Sequence, residues 1–231
     1  MKVLVACEES QAVCKAFREK GHEAYSCDIQ PCSGGHPEWH IQRDVLDYIN
    51  GDGRPLWEKR RAPFPLFRTQ DGKWHDLPIR WDLIIAHPPC TYLSNAGARW
   101  LYASGKLNEE RYAKGLDGKK FFMAMLNADC PRIAVENPIP SSIYGLPEYT
   151  QIIQPYQFGE PWSKKTCLWL KGLEPLQPTE IVADYKPYCT SGSYSGTHDP
   201  KYSGASRKGG SAKSRSKTFE GIARAMAEQW G

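Results

Sequence analysis

Two prolines and a cysteine, Pro88-Pro89-Cys90, follow the apolar run from Trp81 to Ala86, and a carboxylate follows Arg132 to Val135 in the string Val135-Glu136-Asn137-Pro138. A lone cysteine is commonly a small buried hydrophobe. Here the prolines fix the backbone and turn the chain out of a sheet, so the sulfur of Cys90 is expected to face a crevice and act as a nucleophile. A carboxylate leaving a buried strand is costly unless paired or used, and a cap or salt bridge is the plain alternative for Glu136. Together the two groups suit one chemistry: a thiolate adds to an electron-poor ring carbon while a carboxyl group hydrogen-bonds or protonates the ring nitrogen that gathers the charge.

These side chains need elements to hold them. Val3 to Ala6 reads as a buried strand. Ser10 is placed to cap a helix with Val13, Ala16 and Phe17 on one face, which Gly21 ends, and Glu23 to Cys27 reads as a second strand with Asp28 at its carboxyl end. A strand, helix, strand unit of this length implies a parallel, right-handed crossover. The alternation continues with a strand from Trp81 to Ala86, a helical region from Asn108 to Asn127 interrupted at Gly115 and Gly118, strands from Arg132 to Val135 and Thr166 to Leu170, and a closing helix from Thr218 to Trp230. The pattern predicts an α/β fold with a doubly wound, mostly parallel sheet, whose ligands bind beyond the carboxyl ends of the strands. Cys7-Glu8-Glu9, Asp28, Pro88-Pro89-Cys90 and Glu136-Asn137-Pro138 each follow such an end, so one site is expected rather than four. Gly51 to Arg80, rich in Pro, Trp and Arg, reads as a small surface insertion with a turn at Asp71-Gly72 between Leu66-Phe67 and Trp74. Tyr185 to Ser216 is rich in Gly, Ser, Tyr and Lys and reads as a long loop or a very small subdomain.

The 231 residues suffice for one large domain with a real core, and the net charge is +4. From Lys201 to Lys217 the chain carries Lys201, Arg207, Lys208, Lys213, Arg215 and Lys217 with no acid between them, which suits either a polyanion contact or a solvated loop. No stretch approaches the roughly 18 apolar residues of a membrane span, and Met1-Lys2 leads into a strand-like run rather than a signal peptide, so a soluble protein of the cytoplasm is expected. The eight cysteines are scattered through a chain too large to need staples, which favours a reducing compartment without disulfides.

The strings "DLIIAHPPCTYLS" and, downstream, "VENP" resemble the catalytic and carboxylate motifs of the DNA (cytosine-5)-methyltransferase family. "VLVACEESQAVCKAFREKGHEAYSCD" is similar to that family's opening cofactor unit, Asp44 in "HIQRDVL" to its adenine-contacting acid, "FGEPWSKKTCLWLKG" to its basic motif and "SKTFEGIARAMAEQWG" to its closing helix. The resemblance implies a Rossmann-like, S-adenosylmethionine-dependent methyltransferase fold in a compact, phage-type member. Its core would span 1–171, with the insertion at 51–80, a reduced target-recognition region at 172–217, and a closing helix at 218–231. It further implies S-adenosylmethionine held by Cys7, Glu8, Ser10, Asp28, Ile29, Asp44, Val45 and Pro88. Cys90 then attacks C6 of a flipped cytosine, Glu136 steadies N3, and Lys165 stands near the base. The activated C5 takes the methyl group, and loss of the C5 proton releases Cys90. DNA, the implied partner, would be met by Ser94, Asn95, Asn137, Lys164, Arg207, Lys208, Lys213 and Arg215. No metal and no obligate protein partner is expected; the setting implied is restriction and modification, in the host cytoplasm if the chain is viral.

The chain departs from that family at three places. The turn Ala6-Cys7-Glu8-Glu9-Ser10-Gln11 has no glycine where the family has several. Its bulk narrows or abolishes the cofactor pocket, or else Glu8 or Glu9 pairs with the cofactor's cationic centre. His87 replaces a glycine; it either lowers the Cys90 thiol's pKa when protonated or, as favoured, packs against a neighbouring strand. The region before the last helix is short, so little base-specific readout is expected from it. Tyr185, Tyr188, Tyr194 and Tyr202 with the basic residues suit stacking and phosphate contact, and the insertion from Arg54 to Trp74 suits a second DNA wall. Lys164 and Lys165 supply charge where the family has arginines, without the planar fork. Cys27, Cys32, His36 and His40 do not match a common zinc spacing, and Pro37 and Trp39 are expected to wall the adenine pocket instead. Two other functions fit the same residues: a nucleic-acid-binding protein of this fold that does not methylate, and the same chemistry on a free nucleotide or with a modified sulfonium donor.

Overall fold

The computed structural model describes residues 1–52, 65–98, 100–103, 105–188 and 217–231. Its strands in chain order are β1 (Lys2–Ala6), β2 (Glu23–Asp28), β3 (His40–Gln42), β4 (Leu66–Arg68), β5 (Trp74–Asp76), β6 (Leu83–Ala86), β7 (Tyr102–Ala103), β8 (Lys106–Leu107), β9 (Ile133–Pro138), β10 (Gln151–Ile153), β11 (Trp162–Ser163), β12 (Thr166–Lys171) and β13 (Lys186–Pro187). The α-helices are α1 (Ala12–Glu19), the single turn α2 (Asn95–Ala98), α3 (Glu109–Leu126) and α4 (Glu220–Trp230).

Seven strands form one sheet in the order β10-β12-β9-β6-β1-β2-β3. Every pairing from β9 through β3 is parallel, while β12 runs antiparallel to both of its neighbours. The mostly parallel α/β sheet expected from the alternation is therefore present, with one reversed strand. Strand order reverses between β1 and β6, which opens a crevice at their carboxyl ends.

The sheet is buried on both faces, and this is why its strands read as continuous apolar runs rather than alternating ones. Leu4, Ala6, Ile84, Ala86 and Val135 point into one layer with Tyr25, Phe122, Met125 and Trp169. Val3, Val5, Leu83, Ile85 and Ala134 point into the other, against Val13 and Phe17 of α1 and Ile222 and Met226 of α4. Each large side chain so buried contributes about 1.5–3 kcal/mol. α1 and α4 also pack on one another, which brings the carboxyl-terminal helix back over the amino-terminal unit.

Three local expectations are corrected. α3 runs unbroken through both glycines. Gly115 lies under the Tyr144 ring, where an added Cβ would come within 2.1 Å of Cζ, so the residue serves a close helix-to-ring approach and not a break. β9 does not stop at Val135, because β12 pairs along it antiparallel, Glu136 opposite Leu168 and Asn137 opposite Cys167. The insertion is only partly superficial. β4 and β5 form the expected hairpin, and Phe67 on it is 1% exposed, its ring 4.8 Å from that of Tyr25 and 6.4 Å from that of Trp81. Residues 53–64, the basic half of that segment, lie outside the described residues. No described helix is long and apolar enough to cross a membrane.

Candidate active site

The segment bearing Cys90 leaves the sheet at the crevice. The His87 N–H donates to the Ala6 carbonyl (2.9 Å), and the buried Pro88 offers its carbonyl to Nδ2 of Asn137 (3.0 Å). Cys90 is half-buried, and its carbonyl accepts from the Ser94 N–H at 3.1 Å as the chain enters α2. The far side of the loop is clipped to the segment after β9. Asn95 N–H donates to Ile139 (3.1 Å), Ser141 N–H donates to Leu93 (2.7 Å), and Ser94 bridges to Pro140. From α3, the Arg111 guanidinium lies over the Tyr92 ring at 4.9 Å and donates to the carbonyl of Gly97 at 3.1 Å. Backbone bonds thus fix the Cys90 loop to the chain that follows Glu136.

Parallel register sets the next contact. Ala86 lies beside Val135, so the following residues, His87 and Glu136, are neighbours at the carboxyl ends of β6 and β9. His87 Nδ1 and Glu136 Oε2 are 3.1 Å apart, with only 8% and 16% of the two side chains exposed. His87 therefore pairs with a carboxylate rather than packing silently. Burial opposes its proton, but the hydrogen bond and charge of Glu136, then the charge of Glu8, outweigh burial and hold the imidazole above its ordinary pKa, with Lys164 opposing. Burial pushes Glu136 up, yet the His87 hydrogen bond and charge, then the Lys164 charge, bring it below the ordinary carboxyl value. For Cys90, burial and then the negative charge of Glu136 raise the thiol, while Lys164 and a backbone hydrogen bond pull it down. One ammonium and one carboxylate thus act on the same sulfur. Beside them a concavity is lined by Glu136, Lys164, Thr166, Phe219, Ile222 and Met226, which makes α4 one wall of the site. Lys164 Nζ sits 5.8 Å from the Phe219 ring centroid and 6.0 Å from that of Tyr188.

The glycine-free turn takes the shape glycine would take. Cys7 and Gln11 have φ of 59° and 60°, left-handed values that cost an ordinary residue roughly 1–2 kcal/mol each. The surroundings over-determine them. Cys7 N–H donates to Cys27 at 2.7 Å, and the fully buried Gln11 side chain bonds the His36 carbonyl (2.9 Å), the His36 N–H (3.0 Å) and the Ser26 hydroxyl (3.2 Å). The loop after β2 closes over the turn, with Ser33 N–H on the Glu9 carbonyl (2.7 Å) and the Ser33 hydroxyl on the Glu9 carboxylate. Ser10 does not cap α1. Glu8, 4% exposed, reaches its first turn instead, Oε1 accepting from Val13 N–H at 2.7 Å and Oε2 from Cys14 N–H at 3.2 Å. Both oxygens thereby accept bonds inside the fold. Glu8→Ala is expected to cost about 2 kcal/mol in urea denaturation, and Glu8→Gln clearly less because its amide oxygen still accepts one bond. Equal losses would show that these two hydrogen bonds are not what Glu8 supplies.

The other residues expected at a cofactor site fall into two groups. Asp28 and Asp44 both raise the Cys7 thiol after its burial has done so, which places the two carboxylates about the same turn. Asp28 accepts from Gln30 N–H at 2.8 Å and Asp44 from Leu46 N–H at 3.0 Å. Ile29, next to Asp28, is 74% exposed, an apolar surface at the sheet's carboxyl edge. Val45 belongs to the core at 3% exposure, and its neighbour Leu46 is the exposed residue.

Of the residues expected on DNA, Asn137 is fully buried, because the strand's pleat points it away from the Glu136 side and toward the Pro88 carbonyl. Ser94 is buried too, its Oγ accepting from Gly97 N–H at 3.2 Å, so it shapes the loop. Asn95 is exposed. Lys164 is half-buried and acts on the pair, whereas Lys165, expected nearer the base, is exposed. Arg207, Lys208, Lys213 and Arg215, with Tyr194 and Tyr202, lie outside the described residues. His36 stacks on Trp39 at 3.8 Å, and His40 is buried between Ser26 Oγ (2.9 Å) and the Gln30 carbonyl (2.8 Å).

No protein-family model and no curated protein matches the sequence. Among solved structures the chain is similar to a methyltransferase of Entamoeba histolytica, EhMeth, at 13% identity and a TM-score of 0.41. The match covers 82% of this chain and 60% of that one, so this chain spans less than two thirds of that structure's length.

Proposed function

We propose that the chain transfers a methyl group from S-adenosylmethionine to C5 of cytosine in DNA, through a covalent adduct between Cys90 and a flipped base. The observation that carries this reading is the clipping of the Cys90 loop to the chain just after β9, beside Glu136, with Glu136 and Lys164 acting oppositely on the Cys90 thiol. The mostly parallel sheet, with its crevice at the β1/β6 reversal, is consistent with the methyltransferase-like Rossmann fold that the sequence resembles. Asp28 and Asp44, with exposed Ile29 between their strands, fit the adenosine end of the donor: carboxylates for hydroxyl and amino donors, and an apolar face for the ring. When bound, S-adenosylmethionine supplies an electrophilic methyl on a sulfonium.

This chain's residues do the rest. Cys90, held as a thiol by burial and the neighbouring carboxylate, loses its proton to solvent and adds to C6, and Lys164 favours the thiolate. Glu136, once protonated, donates to the ring at N3, where the electron pair displaced by the sulfur collects. Loss of the C5 proton then restores the ring and expels Cys90 as thiolate. Half-buried Tyr188 beside Lys164 suits stacking next to the site.

The test is to incubate the protein with tritiated S-adenosylmethionine and DNA, and in parallel with DNA carrying 5-fluorocytosine, whose fluorine cannot leave as a proton does. Label in DNA and a denaturation-resistant adduct are expected. DNA binding without either would favour a methyltransferase-like binding protein and end this reading.

A further inference from the structure

His87 is a buried titratable side chain at the centre of the site, and the chemistry above leaves it without a task. It is set between groups from three separate elements: Glu136 on β9 at 3.1 Å, Glu8 in the turn after β1 acting on it by charge, and Lys164, before β12, opposing both. Its other ring nitrogen, Nε2, is buried and has no hydrogen-bond partner among the described residues. A buried imidazole that bonds one carboxylate, feels the charge of a second and leaves one nitrogen unbonded is poorly explained by packing, since an unmade buried bond costs about 1–3 kcal/mol. It is well explained as a store for one proton.

We propose that His87 is a positioning residue that orients Glu136 through Nδ1 and holds the proton which Glu136 passes to the base, a role that rests on the reading of Cys90 and Glu136 given above. At rest the proton is on His87 and Glu136 is an anion, so Cys90 stays a thiol. As the base enters, the Nδ1 proton moves to Glu136, leaving a neutral imidazole, and Glu136 delivers it to N3 while the C6–S bond forms. Neutralising Glu136 also removes the negative charge that holds the thiol protonated, so one proton shift prepares both the acid and the nucleophile. On breakdown of the adduct the N3 proton returns to Glu136 and then to His87, the C5 proton goes to solvent, and Cys90 leaves as thiolate. Cys90 then regains from solvent the proton it gave up, so each turnover releases one proton, that of C5.

Folding raises His87 above its ordinary 6.5, so what its proton contributes is complete below that pH and is lost as pH rises through the folded value. Folding lowers Glu136 below its ordinary 4.5, so its contribution is present above 4.5 and is lost as pH falls through the folded value. The stored proton is therefore available across the interval between them and fails on the alkaline side.

The experiment has two arms on the full chain. In the protein alone, a histidine NMR titration follows His87; Glu136→Gln is expected to move its titration at least about one pH unit toward acid. In methyl transfer to DNA, His87→Gln, which keeps a hydrogen-bond donor but cannot titrate, is expected to lower kcat about tenfold with KM unchanged and to abolish the alkaline limb of the kcat profile. A His87 titration indifferent to Glu136→Gln, or a His87→Gln profile with the wild-type limb, overturns the role of His87 while covalent capture by the wild type upholds that of Cys90. Absence of capture by the wild type overturns both the function and the proton's destination. Should His87→Gln not fold, the Glu136→Gln titration decides alone.

Discussion

Cys90→Ala is expected to eliminate the 5-fluorocytosine adduct and to reduce methyl transfer by roughly 10⁴-fold or more, the scale on which loss of a covalent nucleophile is felt. Placement singles out Cys90, and burial disfavours several of the other thiols. Burial pushes the thiols of Cys14 and Cys27 far up, Cys7 likewise with Asp28 and Asp44 adding to it, and Cys167 up to about 11 with Glu136 adding to it. Cys90 is raised as well, but it is half-buried and stands by an ammonium. Cys27→Ala should accordingly leave both readouts near wild type. Because Cys90 sits in a loop and fills no core position, Cys90→Ala should cost less than about 1 kcal/mol in denaturant, so a folded but inactive protein is the outcome to look for. Persistent adduct in Cys90→Ala would move the nucleophile elsewhere and dismantle the site as described.

The second large effect is expected from a residue with no reactive group. Gly97→Ala should lower kcat by about 100-fold with little change in DNA affinity, measured as single-turnover methyl transfer beside equilibrium binding. An added Cβ at Gly97 would come within 2.1 Å of the Thr91 carbonyl oxygen and 2.9 Å of its carbon. Those are backbone atoms of the residue next to Cys90, and no rotamer change relieves them. Thr91 and Gly97 are also the two carbonyls that Arg111 holds, at 3.4 and 3.1 Å, so the loop cannot open on that side without breaking a charged hydrogen bond. The strain must be taken up by moving Cys90. A displacement of about 1 Å in a reacting atom suffices for a loss of this size. Wild-type kcat in Gly97→Ala would mean that the loop's shape is not fixed by this contact.

Both effects bear on what the sequence makes legible. β1, β2, β6 and β12 are visible because each is buried on both faces and reads as an apolar run; His40–Gln42 and Gln151–Ile153 are edge strands of three residues whose pairing, not composition, defines them. The crevice location of Cys90 follows from the two prolines, and Glu136 from the strand before it. The reach of β9 through Asn137 does not, because it depends on β12, which is distant in sequence and reversed. Ser10 has the right type for a cap, yet Glu8 caps α1 since the left-handed Gln11 brings the earlier carboxylate under the first turn. The pairing of His87 with Glu136 did have a signal. "LIIAH" and "RIAVE" end their apolar runs on a titratable residue, and aligning the two as adjacent parallel strands places those residues side by side.

The clip between the Cys90 loop and the chain after β9 also governs how the site breathes. Two backbone hydrogen bonds, donated by Asn95 and Ser141, join residues 93–95 to residues 139–141 as a short ribbon about the Ser94–Pro140 bridge. Local opening must break them together or not at all, so the amides of Asn95 and Ser141 should exchange with deuterium at one common rate, as members of a single cooperative unit. Cys90 and Glu136 would then open and close in step, and the spacing between them would outlast those fluctuations.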